Sequence, residues 1–574
     1  MSERFVNVVI GGAAGQGLVT MGQLLAKSVA RAGYQVAVTQ VYMSRVRGGH
    51  NTFALRMGTS PVPGPDEDID LLVAMNQETV DLHAARVRAG GFVILGEGLS
   101  SDEAATLSMP LKELAPKPIY YNVVGLGVLG AVLGIGRQVI ADLLEQTFGK
   151  KGEKIVAQNH EVLDAAYAWA TEHKPEFAPL GDVGGGKDQL LMNGNEAIAL
   201  GAMAAGANFC SFYPMTPGTS IAQNLITKGK SLGVVVEQVE DEIAAINMAL
   251  GASYAGGRAI VPTSGGGFAL MTEGVSMAGV GELPVVCAIA QRPGPATGLP
   301  THTEQADLNL ALYAGHGEFP RAIMTPGTVE ECFHLAYRAM DQAERYQTPI
   351  IILTDQYLAD SLRTIAPFDL EALPEVARPA RHDEVPEKYQ RYAETQTGVS
   401  PRLLPGFGEH VVVADSHEHL PDGHITERPD VRNAQNEKRL RKEVGLREDA
   451  VAPSFYGDDA PDCLLVCWGS SVDATREAAE VFRARGGKVG VLHFSQVWPL
   501  RPGDFKKRMQ DAKMVVCIEA NATGQFAALL RKETGLVCDA LVLRYDGLPF
   551  TAEFIVGQLE EQGCTGEKKE GSHG

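Results

Sequence analysis

The chain has 574 residues, 45% apolar and 21% charged, a globular balance that calls for about three or four domains and no disulfide staples. Its formal net charge of −20 argues against a nucleic-acid binder, which needs a basic face to displace counterions, and against docking on an anionic membrane. The eight cysteines are scattered without a Cys-x-x-Cys pair, which fits a reducing, cytoplasmic compartment and lacks the spacing of a ferredoxin-type iron–sulfur cluster.

No apolar leader opens the sequence, and its longest glycine-rich apolar run, 123–136, is too short to span a bilayer. Residues 4–10 read as a buried strand. A turn follows with Gly12, Gly15, Gln16 and Gly17, then a helical pattern through Leu24, Leu25, Val29 and Ala30, then a second strand at 34–40. This is a βαβ opening with a right-handed crossover. The glycine spacing is not Gly-x-Gly-x-x-Gly and no acid closes the second strand, so a nicotinamide or flavin site has little support. The turn still suits a phosphate at a helix N-terminus. Residues 42–51 add Arg45 and Arg47 beside glycines, as phosphate contacts or as a solvated basic turn. More strands are expected at 71–75 and 91–95, and the domain closes near the glycine-rich 181–187.

From about 193 to 367, strand-like runs (208–213, 233–238, 258–262, 284–290, 349–354) alternate with helical ones, which predicts a parallel sheet covered by helices. Residues 367–455 are rich in proline and charge and read as a long surface connection, with a short solvated helix at 433–443. His410, His417, His419 and His424 match no zinc spacing and read as surface histidines. A third α/β unit begins at Asp462, with strands at 463–468, 488–494 and 514–519, and the last residues form a polar tail.

Four segments of the second domain carry chemistry. Tyr213-Pro214-Met-Thr216-Pro-Gly-Thr-Ser follows a strand, with Thr216 offering a hydroxyl to a substrate oxygen; the plain alternative is a structural turn. Glu240, Asp241 and Glu242 open a helix with Ile243, Ile246 and Leu250 spaced along one face; acids there often only favour the helix N-terminus. Gly265, Gly266 and Phe268 sit in a triple-glycine loop that lets backbone approach a ligand. Arg292, just past an apolar strand and before Pro-Gly-Pro, has the fork to clamp a carboxylate, with Thr297, Thr301, His302 and Gln305 nearby.

As a set, these segments resemble the 2-oxoacid:ferredoxin oxidoreductases, most closely the alpha subunit of the 2-oxoglutarate type with a gamma domain fused at its N-terminus. The resemblance implies three α/β domains with a long extended connection. These are a gamma-type Rossmann-like domain (1–185), a thiamine-pyrimidine-binding domain (190–367), the connection (368–455) and a transketolase C-terminal-like domain (456–566), before the tail (567–574). It implies that Glu240 contacts the aminopyrimidine of thiamine diphosphate, with Asp241 and Glu242 as the nearest misassignments. Tyr213, Pro214, Gly265, Gly266 and Phe268 would line the cofactor, and Thr216, Arg292 and Thr297 the substrate. Gly12, Gly15, Gln16, Gly17, Arg45 and Arg47 would meet coenzyme A. The chain has no Gly-Asp-Gly followed by asparagine, so Mg2+, the diphosphate and a 4Fe–4S cluster are expected on a beta partner in an (alpha-beta)2 assembly that passes electrons to ferredoxin. This chain is expected to hold no metal. Pyruvate, indolepyruvate or branched-chain 2-oxoacids are alternative substrates. A non-catalytic nucleotide-binding assembly subunit is the alternative of another class.

Overall fold

The computed structural model describes all residues except 1–3, 44–48, 179, 182, 184–187 and 564–574. The chain forms two compact units. One comprises 1–192 with 360–367 and 551–553; the other comprises 193–359, 368–550 and 554–574.

The first unit is built on an eight-stranded sheet. Its order is Thr106–Ser108, Val87–Leu95, Ile69–Ala74, Phe5–Ala13, His50–Gly58, Gln35–Val41, Arg363–Ile365, Leu190–Met192. The expected βαβ opening is present but split: Phe5–Ala13 and Gln35–Val41 both pair antiparallel with His50–Gly58, which lies between them. Helix Leu18–Arg31 buries Met21, Leu24, Leu25 and Val29 on this sheet. The glycine-rich apolar run is the buried helix Tyr121–Leu133, hydrophobic all round because neighbouring helices enclose it. Among the described residues no helix is long and apolar enough to cross a membrane.

The second unit contains two sheets. The larger runs Gln496–Trp498, Ala322–Met324, Pro349–Asp355, Val285–Gln291, Ala259–Thr263, Phe209–Phe212, Val235–Gln238, parallel except at its first edge strand. The chain passes from Phe209–Phe212 to one neighbour and then crosses to the other, so a topological switch lies at this strand. Pro262 sits in the adjacent strand, where its missing N–H costs no ladder bond on that side, because pairing with Phe209–Phe212 stops at Ile260. The smaller sheet runs Ser454–Gly457, Val489–Phe494, Cys463–Trp468, Met514–Glu519, Ala540–Leu543, the last four parallel. One apolar core, from Ala245 and Phe268 to Trp468 and Phe526, serves both sheets.

Residues 366–428 contain one short 3-10 turn and no strand, an extended path as expected. The solvated helix expected next is different in kind. Pro429–Glu448 is a 20-residue helix whose Lys438 and Lys442 side chains are buried against Glu282. Lys438 Nζ donates to Glu282 Oε1 at 2.6 Å, and Lys442 also contacts that carboxylate. Burial alone would raise the Glu282 carboxyl; the ammonium groups of Lys442 and Lys438 and the Arg391 guanidinium outweigh it and hold the carboxyl well below its usual range. Burial lowers both lysines, Lys442 to about 7, against the pull of Glu282. His419 is likewise no surface residue: it is fully buried against the Tyr392 ring, 3.8 Å between centroids.

Candidate active site

The carboxyl ends of the parallel strands at the switch point gather most of the residues singled out in the second unit. The edge strand Val235–Gln238 leads through Val239 and Glu240 to Asp241, which caps helix Glu242–Tyr254 by accepting from Ala244 N at 2.7 Å. With Asp241 as the cap, Glu242 is the first helical residue and turns inward. Its side chain is buried (3% exposed), and its Oε1 has no hydrogen-bond partner. Glu240 is exposed on this chain. Ile243 is also exposed, so the buried face runs through Glu242, Ala245, Ile246, Ala249 and Leu250 instead.

The triple glycine is the start of helix Gly265–Leu270, with Ser264 before it. A Cβ on Gly267 would lie 2.6 Å from Glu242 Oε1 and 2.3 Å from Thr263 Oγ1, so the missing side chain here is what admits the carboxylate. The Ser264 hydroxyl is a second buried group without a partner. Two polar atoms left unpaired at one strand edge require a ligand or water, since burying such groups costs about 1–3 kcal/mol each. Gly266 is exposed above them. Phe268 does not face this edge: it is wholly buried in the shared core, where the inward side of a short helix carries it.

Tyr213, Pro214 and Thr216 are exposed along the turn after Phe209–Phe212. Arg292 reaches this turn, donating from Nη1 to Thr216 O at 2.8 Å and from Nη2 towards Met215 Sδ at 3.4 Å. Burial lowers the Arg292 guanidinium, with Asp307 pulling the other way. Thr297 lies at the exposed tip of a tight turn in which Leu299 N donates to Pro293 O at 3.0 Å.

Asp307 at the same edge belongs to no motif. Its carboxylate packs on Gly265, where a Cβ would fall 2.1 Å from Oδ2. Its backbone N–H donates to Gln291 Oε1 at 2.9 Å, and Gln291 in turn donates to Thr354 O at 3.1 Å. Burial pushes the Asp307 carboxyl up to about 6, against the pull of Arg292. The preceding residues are tied to the smaller sheet. Gln305 exchanges bonds with Ala520 (N to O, 2.6 Å; Oε1 from N, 3.1 Å), gives its amide to Trp468 O (3.1 Å) and receives Asn521 Nδ2 on its carbonyl (3.2 Å). Glu519 holds that corner by accepting from Asn521 Nδ2, Phe526 N and Ala527 N at 2.7–2.9 Å.

In the first unit, the glycine turn enters helix Leu18–Arg31 with Gly15 and Gly17 at positive φ (96° and 77°), and space is open beside Gly15. Gln16 is already committed: Oε1 accepts from Ala13 N at 2.6 Å and Nε2 donates to Met75 O at 3.2 Å. It packs where a Gly12 side chain would be. Arg45 and Arg47 lie outside the described residues.

A thiamine-diphosphate-binding family, "Pyruvate flavodoxin/ferredoxin oxidoreductase, thiamine diP-bdg", matches residues 200–438, the stretch that holds this site. "Pyruvate ferredoxin/flavodoxin oxidoreductase" matches 7–169, and "Pyruvate:ferredoxin oxidoreductase core domain II" matches 461–546. Fold and site thus define a subunit of a thiamine-diphosphate-dependent oxidoreductase. A Sulfolobus protein named "2-oxoacid:ferredoxin oxidoreductase subunit alpha" is 30% identical, covering 98% of this chain and 97% of its own. The Mycobacterium tuberculosis "2-oxoglutarate oxidoreductase subunit KorA" is 29% identical over 96% and 91%. The solved 2-oxoglutarate:ferredoxin oxidoreductase from Magnetococcus marinus, with 2-oxoglutarate, coenzyme A and succinyl-CoA bound, superposes with TM-score 0.91. It is 30% identical and covers 98% of this chain and 100% of that one. The chain belongs to the 2-oxoacid:ferredoxin oxidoreductase alpha subunits, and so works as one part of a multi-subunit assembly.

Proposed function

We propose that this chain, with its gamma-type domain fused, acts in converting 2-oxoglutarate and coenzyme A to succinyl-CoA and carbon dioxide with reduction of ferredoxin, or in the reverse direction. When bound, thiamine diphosphate supplies a carbon nucleophile and an electron sink. The residues on this chain fit its pyrimidine end. The buried, partnerless Oε1 of Glu242, in the niche left by Gly267, carries the reading. Glu242 therefore takes the role that the resemblance gave to Glu240: its carboxylate accepts a hydrogen bond from the heterocycle and can hold a proton there. Glu240 stays a candidate only for contact with a partner subunit, because it is exposed. Tyr213, Pro214 and Gly266 border the same edge.

Arg292 receives the 2-oxoacid carboxylate. Its hold on the Thr216 carbonyl fixes the guanidinium and leaves donors free, and the Thr216 hydroxyl and Thr297 are the further groups that would meet the substrate. Gly15 offers open backbone for a phosphate of coenzyme A, while Gln16, packed against Gly12, shapes the turn that Gly17 completes. Arg45 and Arg47 would add charge to that contact. A beta partner would hold Mg2+, the diphosphate and a 4Fe–4S cluster within an (alpha-beta)2 assembly.

The test is kinetic. In the reconstituted complex, Glu242→Gln should lower turnover by about a hundredfold or more, the usual range for a lost proton-transfer group. Glu240→Gln should cost less than about threefold, as expected for an exposed carboxylate. The reverse ranking restores Glu240. The matching families are described for pyruvate, which favours it as a second substrate; kcat/KM compared across 2-oxoacids decides.

A further inference from the structure

Asn195 lies in the first turn of helix Gly194–Ala204 and is wholly buried, yet the helix does not call for it. The cap is already Asn193, whose Oδ1 accepts from Glu196 N at 2.9 Å. The Asn195 Oδ1 is buried without a hydrogen-bond partner, a cost that an apolar side chain would avoid. Its amide nitrogen accounts for the residue. Nδ2 donates to Pro217 O at 2.9 Å and to Ser220 Oγ at 2.7 Å, so both of its hydrogens go to the segment that follows strand Phe209–Phe212. Chemistry fixes this orientation. A flipped amide would set Oδ1 against the Pro217 carbonyl, and two such oxygens only accept.

Two further contacts hold the same turn. Gly218 presses on the end of strand Ala259–Thr263, where a Cβ would lie 2.3 Å from Thr263 O. Arg292 Nη1 donates to Thr216 O at 2.8 Å. The carbonyls held by Asn195 and Arg292 thus belong to consecutive residues. The peptide between them is planar and the proline ring locks φ, which leaves one soft backbone torsion separating the two oxygens. Resting on the reading of Arg292 as the receiver of the 2-oxoacid carboxylate, we propose that Asn195 is a positioning residue for substrate recognition: its amide fixes the turn whose Thr216 carbonyl in turn fixes the Arg292 guanidinium. Without that amide the Thr216 carbonyl can swing, and Arg292 loses the stationary acceptor that aims its donors. Ordering the guanidinium would then fall to the binding step, which weakens affinity and leaves the chemical step largely untouched.

The experiment uses the holoenzyme with 2-oxoglutarate, coenzyme A and a low-potential dye. Asn195→Ala should raise KM for 2-oxoglutarate about tenfold, the scale of one lost hydrogen bond, with kcat changed less than about threefold. A KM left unchanged, or a loss confined to kcat, overturns the proposal. Asn195→Leu fills the volume and removes the unpaired oxygen, and should show the same raised KM; a wild-type KM in Asn195→Leu would make packing the cause and overturn it. In the Arg292→Ala background, adding Asn195→Ala should move KM by less than about twofold, because Asn195 acts through that guanidinium. Effects that multiply overturn it. The Kd for thiamine diphosphate, read by calorimetry on the cofactor-free complex, should stay within about twofold of wild type in Asn195→Ala. A parallel loss there would mean general damage to this edge, and also overturns it. If Arg292→Ala itself leaves KM unchanged, the 2-oxoacid binds elsewhere and both readings fall. Raised KM in Arg292→Ala with indifferent Asn195 variants overturns only this one.

Discussion

Two acids two positions apart have opposite fates because of one cap. Asp241 closes the helix N-terminus from outside, so Glu240 stays on the surface and Glu242 enters the fold. The acidic triplet was legible in the sequence as a site; which member turns inward was not, since that depends on where the helix starts to within one residue. Gly267 gives a sharp check. Gly267→Ala would press a methyl group on Glu242 Oε1 and Thr263 Oγ1, and should cut turnover at least tenfold while shifting the melting temperature by only a few degrees. Asp307 predicts a pH effect on stability. Its folded pKa, about 6, lies above the ordinary 3.8. Its protonated form is therefore favoured in the native state, and this contribution is full below pH 4 and lost as pH rises through 6. Asp307→Asn should consequently gain stability on the wild type across that window, by about 3 kcal/mol at most, read from urea melts at pH 4, 5, 6 and 7.

At the scale of elements, the parallel strands announced themselves as apolar runs between turn signals, and 463–468 and 514–519 fall on the strands observed. Two features escaped. Strand His50–Gly58 separates the first two strands, a pairing that no local pattern reveals. Helix Pro429–Glu448 reads as solvated because its buried face is mostly lysine, arginine and glutamine; the carboxylate that accepts from Lys438 lies 156 residues earlier in the chain. Glu282→Gln should therefore destabilise the second unit by about 3–5 kcal/mol, because it leaves two ammonium groups buried without an anion. Guanidinium denaturation against the wild type measures it, and a change below about 1 kcal/mol would mean that the lysines lose their protons or reach water instead.

Over the whole molecule, composition and motif order were enough for three α/β regions and an extended connection. They did not disclose how much of the second unit's active edge is held by its smaller sheet. Trp468 at the end of its strand and the Glu519–Gln525 corner grip Gln305 and Ala306. Nothing on this chain provides the Gly-Asp-Gly and asparagine pattern for the diphosphate and its metal. The isolated chain should then show no 2-oxoacid-dependent reduction of a low-potential dye, with activity returning when the companion subunit is added. Turnover by the chain alone would contradict the shared-site reading.

The segment that follows Arg292 is anchored at its root, where Gln305 is bonded on every side, and free at its tip, where Thr297 and Leu299 meet solvent. Such an arrangement separates what must stay constant from what may vary. If Arg292 receives the acid as proposed, changes among the tip residues would reshape the mouth of that site without loosening its root. A new substrate preference would accordingly arise at the tip by point substitution, whereas an insertion near Gln305 would disturb the whole segment.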